Sequence, residues 1–236
     1  MANKSNSKPE HPEPVPSASQ LAVIPFLAAV DGYLRESHEV SGLRLTMHRA
    51  VNREGQVYLQ QVCGYVREDG LEWRGKVGRT FPVSEGIMGA AFKTRRIWRT
   101  KKFPSIQKLR TSLALDIGKT KDGKDPTTVE VSFLAVPFLG PQNQPVLILY
   151  ADCKELNFFA DDKRVASVAA MSKGFCRLFD MLQVEPFLNL RNFPLQDGEP
   201  VKGRPTVYAS VQEAVEKIAP PKFKTVPSFN YEAAAA

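Results

Sequence analysis

The residues best suited to binding chemistry lie in one strongly basic segment between Lys93 and Asp125. It holds eleven cationic side chains and three aspartates, so its net charge is +8 (11 − 3), against +7 for the whole chain. The cations are Lys93, Arg95, Arg96, Arg99, Lys101, Lys102, Lys108, Arg110, Lys119, Lys121 and Lys124. Arginine suits paired hydrogen bonds to phosphate or carboxylate, and Trp98 could stack on a ring. The segment predicts either an anion site or a solvated lysine-rich loop that binds nothing specific.

The sequence gives less support for nucleophilic catalysis or for metal binding. The histidines are His11, His38 and His48. None neighbours a serine or cysteine nucleophile motif, and His48, on the polar side of a predicted strand, is expected to be a surface residue. The cysteines are Cys63, Cys153 and Cys176. Their odd number and wide spacing are typical of reduced thiols in the cytoplasm. Cys63 and Cys153 are either thiols of a pocket or buried structural residues, and burial is the plainer interpretation. The acidic residues show no metal pattern. We therefore expect no enzyme, and the sequence indicates no particular cofactor.

The first element that must position the basic segment is an amphipathic helix. Apolar residues recur at helical spacing on one face between residues 23 and 34. Proline is tolerable only in the first turn of a helix, so Pro25 predicts that this helix begins near Val23 or Ile24.

Two antiparallel strands are expected next. Residues 43–51 alternate between apolar and polar side chains, residues 52–55 provide turn chemistry, and residues 56–66 form the returning strand. The alternation falters around Gln60 and Gln61, and Gly64 predicts a bulge or a close backbone approach.

A short helix then precedes the basic segment. Phe81 and Val83 close a short strand, and Ser84 is placed to cap a helix that starts at Glu85. Gly86 and Gly89 allow the backbone of the first turn to come close to another element or to a ligand. Tight packing is the plainer of these two interpretations.

Within the basic segment, residues 95–100 are expected to form a short strand with either Ile97 or Trp98 facing inward. A short helix is expected over residues 105–115. Residues 118–128 contain almost no apolar side chains, and loops of this length are commonly functional or disordered.

The centre of the sheet is predicted from two apolar strands. Residues 131–139 are apolar on both faces, which is typical of a strand covered on both sides, and residues 146–151 follow a Gly-Pro turn. A long helix over residues 161–183 starts with Asp161 and Asp162, whose charges suit its N-terminus. Its apolar residues occupy more than one face, so it needs more than one packing partner.

Both ends of the chain differ in composition from this domain. Residues 1–18 are polar and proline-rich, with no secretory signal pattern, and are expected to be a disordered tail of a cytoplasmic protein. Residues 184–236 form a C-terminal extension that drapes over the domain or a partner. Ser210 and Glu213 make a capping box that predicts a short helix over residues 210–219.

The order of these elements resembles that of a GAF domain over residues 20–183. The best matching pieces are Glu85-Gly86-Ile87-Met88-Gly89, Ala135-Val136-Pro137, and Phe159 followed by the acidic start of the last helix. The resemblance implies an α+β fold with a six-stranded antiparallel sheet, flanking N- and C-terminal helices on one face and a lid segment on the other. It also implies small-molecule binding beneath the lid and dimers formed through the first and last helices.

The chain departs from several GAF patterns. Arg95 stands where a glycine usually follows the short helix, and the motif of cyclic-nucleotide phosphodiesterase GAF domains is absent from the sequence. No Cys-His pair matches bilin attachment, and the cysteines do not reproduce the loop pattern of free methionine sulfoxide reductases. The resemblance therefore carries the fold and no specific ligand.

Three functions stay open. The first is a non-enzymatic sensor that binds a small anionic ligand, such as a nucleotide-like molecule, under the basic lid and signals through dimer helices. Its expected ligand contacts are Arg95, Arg96, Trp98, Arg99, Lys101, Lys102 and Arg110 on the lid, with Ser132, Gly86 and Gly89 as the floor. The second is a ligand-free interaction subunit, and the third is nucleic-acid binding through residues 93–124. The expected surface for a homodimer or a partner comprises Val23, Leu27, Val30, Met171, Leu178 and Met181.

Overall fold

The computed structural model describes residues 15, 17–36, 39–53, 55–72, 77–117, 130–140, 143–181 and 210–214. The helices in these ranges are α1 (Ser17–Glu36), α2 (Gly86–Thr94), α3 (Ile106–Ile117) and α4 (Asp162–Met181). The first five strands are β1 (Arg44–Arg53), β2 (Gln56–Gln61), β3 (Tyr65–Arg67), β4 (Gly70–Glu72) and β5 (Thr80–Pro82). The remaining strands are β6 (Trp98–Thr100), β7 (Ser132–Leu139), β8 (Pro145–Cys153) and β9 (Val211–Glu213). The expected disordered tail, the loop 118–128 and most of the C-terminal extension lie outside the described residues.

All described strands belong to one antiparallel sheet. Its order is β4-β3-β1-β8-β7-β6-β9, with β2 also pairing with β1 and β5. The predicted α+β class and the antiparallel sheet are confirmed, but the predicted count of six strands is too low, because nine are described. The additional strands arise because the return strand breaks in two, a short hairpin extends it, and part of the C-terminal extension joins the opposite edge.

The break in the return strand is the bulge expected near Gly64. Both β2 and β3 pair with β1, with His48 opposite Gln61 and Leu45 opposite Val66. Four residues of the return strand therefore face two residues of β1. The hydroxyl of Thr46 donates to the carbonyl of Cys63 (2.9 Å), so a buried side chain satisfies a carbonyl that the ladder leaves unpaired.

Helices α1 and α4 cover one face of the sheet, and α1 supplies core residues that were expected at a dimer surface. Val23, Leu27 and Val30 are fully buried against the sheet and α4. Burying each such side chain contributes about 1.5–3 kcal/mol, so they stabilise this chain and are not exposed to a partner. Met171 is partly buried against the same core. The side chains of Leu178 and Met181 lie outside the described set.

Helix α1 also begins earlier than predicted. It starts at Ser17, so Pro25 lies inside it. Proline lacks the N–H that would bond the carbonyl of Leu21, and the exposure of Leu21 lets solvent reach that turn. Burial of the apolar face on both sides of Pro25 outweighs the lost hydrogen bond.

Helix α2 covers the opposite face of the sheet. Its N-cap residue is Glu85, without a side-chain hydrogen bond, so the prediction that Ser84 caps a helix starting at Glu85 is wrong. Gly86 has φ +71°, a conformation that favours glycine. A Cβ added to Gly89 would lie 2.7 Å from the carbonyl oxygen of Val83, so the close approach expected there is made by the chain's own backbone.

The C-terminal extension contributes a strand where a helix was predicted. Val211–Glu213 pairs with β6, and the rest of the predicted helix, residues 215–219, lies outside the described residues. The capping pattern of Ser210 and Glu213 is a local preference, and pairing with the backbone at the edge of β6 outweighs it here. None of the helices within the described ranges has the length and apolar composition of a membrane span.

Candidate functional site

The predicted lid tryptophan is part of the core. Trp98 is buried with Ile148, Phe92 and Ala135 beneath α2, and its indole N–H donates to the hydroxyl of Thr94 (2.6 Å). Its ring face is therefore occupied by protein, and the prediction that it stacks on a ligand is wrong. Ile97 is buried on the other face of the sheet. The sequence predicted that either Ile97 or Trp98 faces inward, and in the structure both are buried.

Arg99 and Ser132 link secondary-structure elements. The Arg99 guanidinium is buried and forms an ion pair with Asp162 (2.6 Å), and it also donates to the carbonyl of Phe159 (3.4 Å). The buried hydroxyl of Ser132 accepts the backbone N–H of Phe159 (3.0 Å). These side chains join the sheet to the start of α4.

The remaining predicted cations lie nearer the surface. Arg95 ends α2 with φ 61°, and the exposed Arg96 forms an ion pair with Glu213 (2.6 Å). Lys101, Lys102 and Arg110 are exposed. The structure therefore divides the predicted lid set into buried linking residues and solvent-facing cations.

The face of the sheet opposite α1 carries a charged cluster that the sequence did not predict. Arg44 on β1 lies opposite Asp152 on β8 and binds it through two hydrogen bonds, Nε to Oδ1 (2.6 Å) and Nη2 to Oδ2 (3.1 Å). The same guanidinium is 3.1 Å from Glu130 and lies over the ring of Tyr65, 4.8 Å from its centroid. The hydroxyl of Tyr150 donates to Asp152 (2.8 Å).

Burial and charge shift the pKa values in this cluster. Burial alone would lower the pKa of Arg44, but the hydrogen bond and charge of Asp152, with the charge of Glu130, raise it, so the guanidinium stays charged. Burial also raises the pKa of Asp152, and the hydrogen bonds from Arg44 and Tyr150 oppose that rise without cancelling it. Burial and the carboxyl of Asp152 raise the pKa of Tyr150 well above its ordinary value. Both tyrosines near the pair remain neutral, because burial likewise raises the pKa of Tyr65.

The cluster borders an open cleft of about 510 Å³ at one end of the sheet. The cleft is lined by Arg35, Gly42, Leu43, Arg44, Arg67, Glu68, Asp69, Glu130 and Lys154. Each acidic side chain of this lining has a cation within 4 Å: Glu130 is 3.1 Å from Arg44, Asp69 is 3.1 Å from Arg67, and Glu68 is 3.7 Å from Arg35.

Lys154 is the cation of the cleft for which the described residues provide no ion pair. Its aliphatic stem crosses Gly42, where an added Cβ would lie 2.8 Å from its Cγ and Cδ atoms. Its backbone N–H donates to the carbonyl of Ser41 (2.9 Å), which fixes this end of β8 beside β1. The side chain is exposed beside the cleft, and none of the described ion pairs involves its ammonium.

His48 lies on the same sheet face and is only 1% exposed, so its predicted place on the surface is wrong. Neither ring nitrogen has a hydrogen-bond partner among the described residues. The imidazole packs edge-on against Phe81 and Tyr150, at centroid distances of 5.4 and 6.2 Å. Burial, with a smaller effect from the charge of Arg79, lowers its pKa to about 3. The ring is neutral near pH 7 and has no nucleophile to activate among these contacts.

Cys63, Cys153 and Cys176 are buried and form no disulfide bond among the described residues, and burial was predicted for Cys63 and Cys153. Burial raises the pKa of Cys63 to about 11 and that of Cys153 to about 12, against the lowering effect of their hydrogen bonds. A thiol with such a pKa is almost entirely protonated near pH 7 and is a poor nucleophile and metal ligand. Within the described ranges, no three His, Cys, Asp or Glu side chains are grouped to hold a metal ion.

One sequence signal could have indicated the cluster. Arg44 starts an alternating strand and Asp152 ends a largely apolar strand, so both charges stand where a sheet would bury them. A buried charge requires a partner of opposite sign, but the residues are 108 positions apart, and only the register of β1 against β8 shows that they meet.

Comparison with known proteins gives weak likeness and no assignment. No protein-family model matches the chain, and no curated protein matches it significantly. Among solved structures, the chain is similar to a type II free methionine-R-sulfoxide reductase from Thermoplasma acidophilum (14% identity, 65% of this chain and 89% of that protein, TM-score 0.41). It is also similar to the GAF domain of an Acinetobacter phosphoenolpyruvate-protein phosphotransferase (14% identity, 71% and 96%, TM-score 0.38).

These identities and scores are too low to transfer a ligand, an activity or a residue role. The order of the chain's own elements is the stronger evidence: α1 and α4 on one face of an antiparallel sheet, with α2 on the other, as the sequence resemblance implied. The chain has a GAF-like α+β fold.

Proposed function

We propose that this chain is a non-enzymatic, cytoplasmic sensor domain that binds a small anionic ligand, and that the ligand binds in the cleft beside Arg44. The observation that carries the proposal is the position of Lys154, whose charge has no described counter-ion while it borders a cleft of about 510 Å³. That volume lies in the range of small-molecule sites. The lining is almost entirely charged, so the cleft suits a small charged ligand.

The group of the cleft that favours an anion is Lys154. The lining has four cationic and three acidic side chains, and two further carboxylates behind the lining, Asp31 and Asp152, bind Arg35 and Arg44. Since each arginine of the lining lies within 4 Å of at least one carboxylate, Lys154 is the lining cation that the described carboxylates leave to attract an anion. A phosphate or carboxylate could bind its ammonium and share hydrogen bonds with the neighbouring guanidinium groups.

The cluster beneath the cleft would provide a rigid floor. Arg44 is fixed by two hydrogen bonds to Asp152, and the hydroxyl of Tyr150 donates to Oδ2 of the same carboxyl. A side chain held in one orientation loses little conformational freedom when a ligand binds, so more of the interaction energy remains as affinity.

The state of the possible nucleophiles supports a binding role over an enzymatic one. The protonated thiols of Cys63 and Cys153 and the neutral, enclosed imidazole of His48 form no nucleophile–base pair. Sensing then requires that ligand binding changes an interaction of this domain with another copy or another protein.

A thermal-shift panel on the full-length chain tests this proposal. The probes are inorganic phosphate, cyclic AMP, cyclic GMP and citrate, each titrated at constant ionic strength to separate binding from screening. We expect at least one probe to raise the melting temperature in a saturable way. A flat response across the whole panel would count directly against a small-anion sensor.

A second candidate function is polyanion binding at the surface of the basic segment. Lys101, Lys102, Lys108 and Arg110 are exposed, and residues 101–112 contain no acidic side chain. Nucleic-acid binding through these cations would weaken steeply with salt. A gel-shift titration of RNA and DNA at low salt, with the Lys101→Gln, Lys102→Gln double variant as comparison, separates this function from binding in the cleft.

A further inference from the structure

The edge of the sheet at β6 is occupied by a short strand from the far end of the chain. Val211–Glu213 pairs with Trp98–Thr100 in antiparallel register. Two more backbone hydrogen bonds flank the ladder: Lys101 N–H to the carbonyl of Ser210 (2.8 Å) and Ala214 N–H to the carbonyl of Ile97 (2.7 Å). This segment, residues 210–214, is called the C-terminal strap below.

The strap fits the edge through side chains as well as backbone. Ser210 and Ala214 are buried, Ala214 within the core under α1 and α4. Val211 packs on the opposite side, against the cluster beneath α2. Glu213 adds the ion pair with Arg96 (2.6 Å). Without the strap, β6 would expose a row of unpaired N–H and C=O groups that can accept another strand.

The strap is attached to the domain by a long connection. Residues 182–209, which number 28 (209 − 181), join the end of α4 to the strap. Fully extended, a segment of this length spans about 90 Å, whereas a domain of roughly 160 residues has a diameter of about 40 Å. The connection can therefore reach the β6 edge of its own domain or that of a neighbouring molecule.

We propose that the β6 edge is an interaction surface that accepts the C-terminal strap of a second copy of this chain, giving a strand-exchanged dimer. The occupant follows from the structure, because the strap of a second copy has the same sequence and makes every contact described above. Two copies that exchange straps satisfy both edges, so the assembly closes as a symmetric dimer.

This surface differs from the helical one predicted from sequence. The apolar residues of α1 are buried within the chain, whereas the strap is held by a three-residue strand, an exposed ion pair and two buried end residues, Ser210 and Ala214. Strand exchange leaves the contacts at the β6 edge unchanged. Because association of two molecules loses translational and rotational entropy, the fraction of chains in the dimer rises with protein concentration.

A disulfide trap tests the exchange in full-length chains. Thr100 and Val211 lie directly opposite each other in the ladder. Because the flanking bonds belong to the Ile97–Ala214 and Lys101–Ser210 pairs, Thr100–Val211 is a non-hydrogen-bonded pair with Cα atoms about 4.5 Å apart, which a disulfide can bridge. A Thr100→Cys chain is mixed with a Val211→Cys chain that carries a size tag, and the mixture is oxidised at high protein concentration.

We expect a covalent hetero-dimer on a non-reducing gel, at least fivefold more abundant than in a matched mixture with Gln212→Cys, whose side chain faces the other side of the sheet. The Thr100→Cys, Val211→Cys double variant at low concentration should close its bridge within one chain. If that bridge closes while the mixture stays monomeric, strand exchange is wrong. If the bridge does not close, the pairing on which exchange depends is wrong.

Sedimentation of the unmodified chain gives an independent result. We expect a dimer whose share increases with concentration and falls at least fivefold in Gln212→Pro, which removes the N–H that faces Arg99 in the ladder. A dimer of undiminished stability in this variant would show that another surface forms it and would overturn the proposal.

Discussion

Replacement of the buried imidazole by an apolar side chain should remove a specific part of the pH dependence of stability. His48 is 1% exposed, its nitrogens have no partner among the described residues, and the groups that face it are Phe81, Tyr150 and the charge of Arg79. His48→Leu keeps a similar volume at this position and removes the titratable group.

The magnitude follows from the depressed pKa. The pKa of His48 falls from 6.5 in the unfolded chain to about 3 in the folded chain. Below pH 6.5 the unfolded state therefore binds a proton at His48 that the folded state does not bind. Stability is therefore complete above pH 6.5 and is lost as the pH falls toward 3. At 1.36 kcal/mol per pH unit, the titration of His48 lowers the free energy of unfolding by about 2 kcal/mol at pH 5 and by at most about 5 kcal/mol near pH 3.

Urea unfolding of the wild type and His48→Leu at pH 7.5 and pH 5 measures this difference. We expect the wild type to lose about 2 kcal/mol more than the variant between the two pH values. His11→Leu is the control, and it should lose as much as the wild type. If wild type and His48→Leu show equal losses, His48 is not a buried neutral group in the folded chain, and the reasoning is refuted.

Two further predictions concern stability measured by the same urea unfolding at pH 7.5. Arg44→Met should destabilise the fold by about 3–5 kcal/mol because it leaves the carboxyl of Asp152 buried without its partner, and adding Asp152→Leu should recover most of that loss. If the double variant is as unstable as Arg44→Met, the loss in free energy of unfolding comes from the absent Arg44–Asp152 pair and not from the unpaired carboxyl of Asp152. Gly89→Ala should destabilise by about 1–3 kcal/mol, since its Cβ would lie 2.7 Å from a backbone oxygen. Gly174→Ala, on α4 with nothing within 4 Å, should instead stabilise by about 0.5–1 kcal/mol, and equal effects at the two glycines would contradict the packing described for α2.

The elements with strong local patterns were predictable from the sequence. The apolar runs predicted β7 and β8, helical spacing predicted α4, and Gly64, after the faltering alternation of the return strand, predicted the bulge. In each case the local preference and the tertiary environment favour the same structure.

The errors arose where tertiary contacts outweigh a local pattern. Ser210 and Glu213 suggest a helix cap, but the free edge of β6 takes the segment as a strand. The alternation of β1 placed His48 on the polar side correctly, but Phe81 from β5 and Tyr150 from β8 cover that side.

The candidate site was less predictable than the fold. The basic composition of residues 93–125 drew attention to Trp98 and Arg99, which the structure buries in contacts of their own. The cleft instead depends on the pairing of Arg44 with Asp152 and on the path of Lys154 across Gly42. These contacts join positions far apart in the chain, and a single sequence carries no record of strand register.

Calorimetric titration of the full-length chain and its Lys154→Gln variant tests the central claim most directly. The titrant is the anion that gives the largest thermal shift, and Lys173→Gln, an exposed lysine on α4 away from the cleft, is the control. Loss of one charge-assisted hydrogen bond costs about 1.5–3 kcal/mol, so we expect Lys154→Gln to weaken binding roughly 10- to 100-fold and Lys173→Gln to leave it unchanged. Equal affinity in Lys154→Gln and the wild type would contradict a ligand site in this cleft.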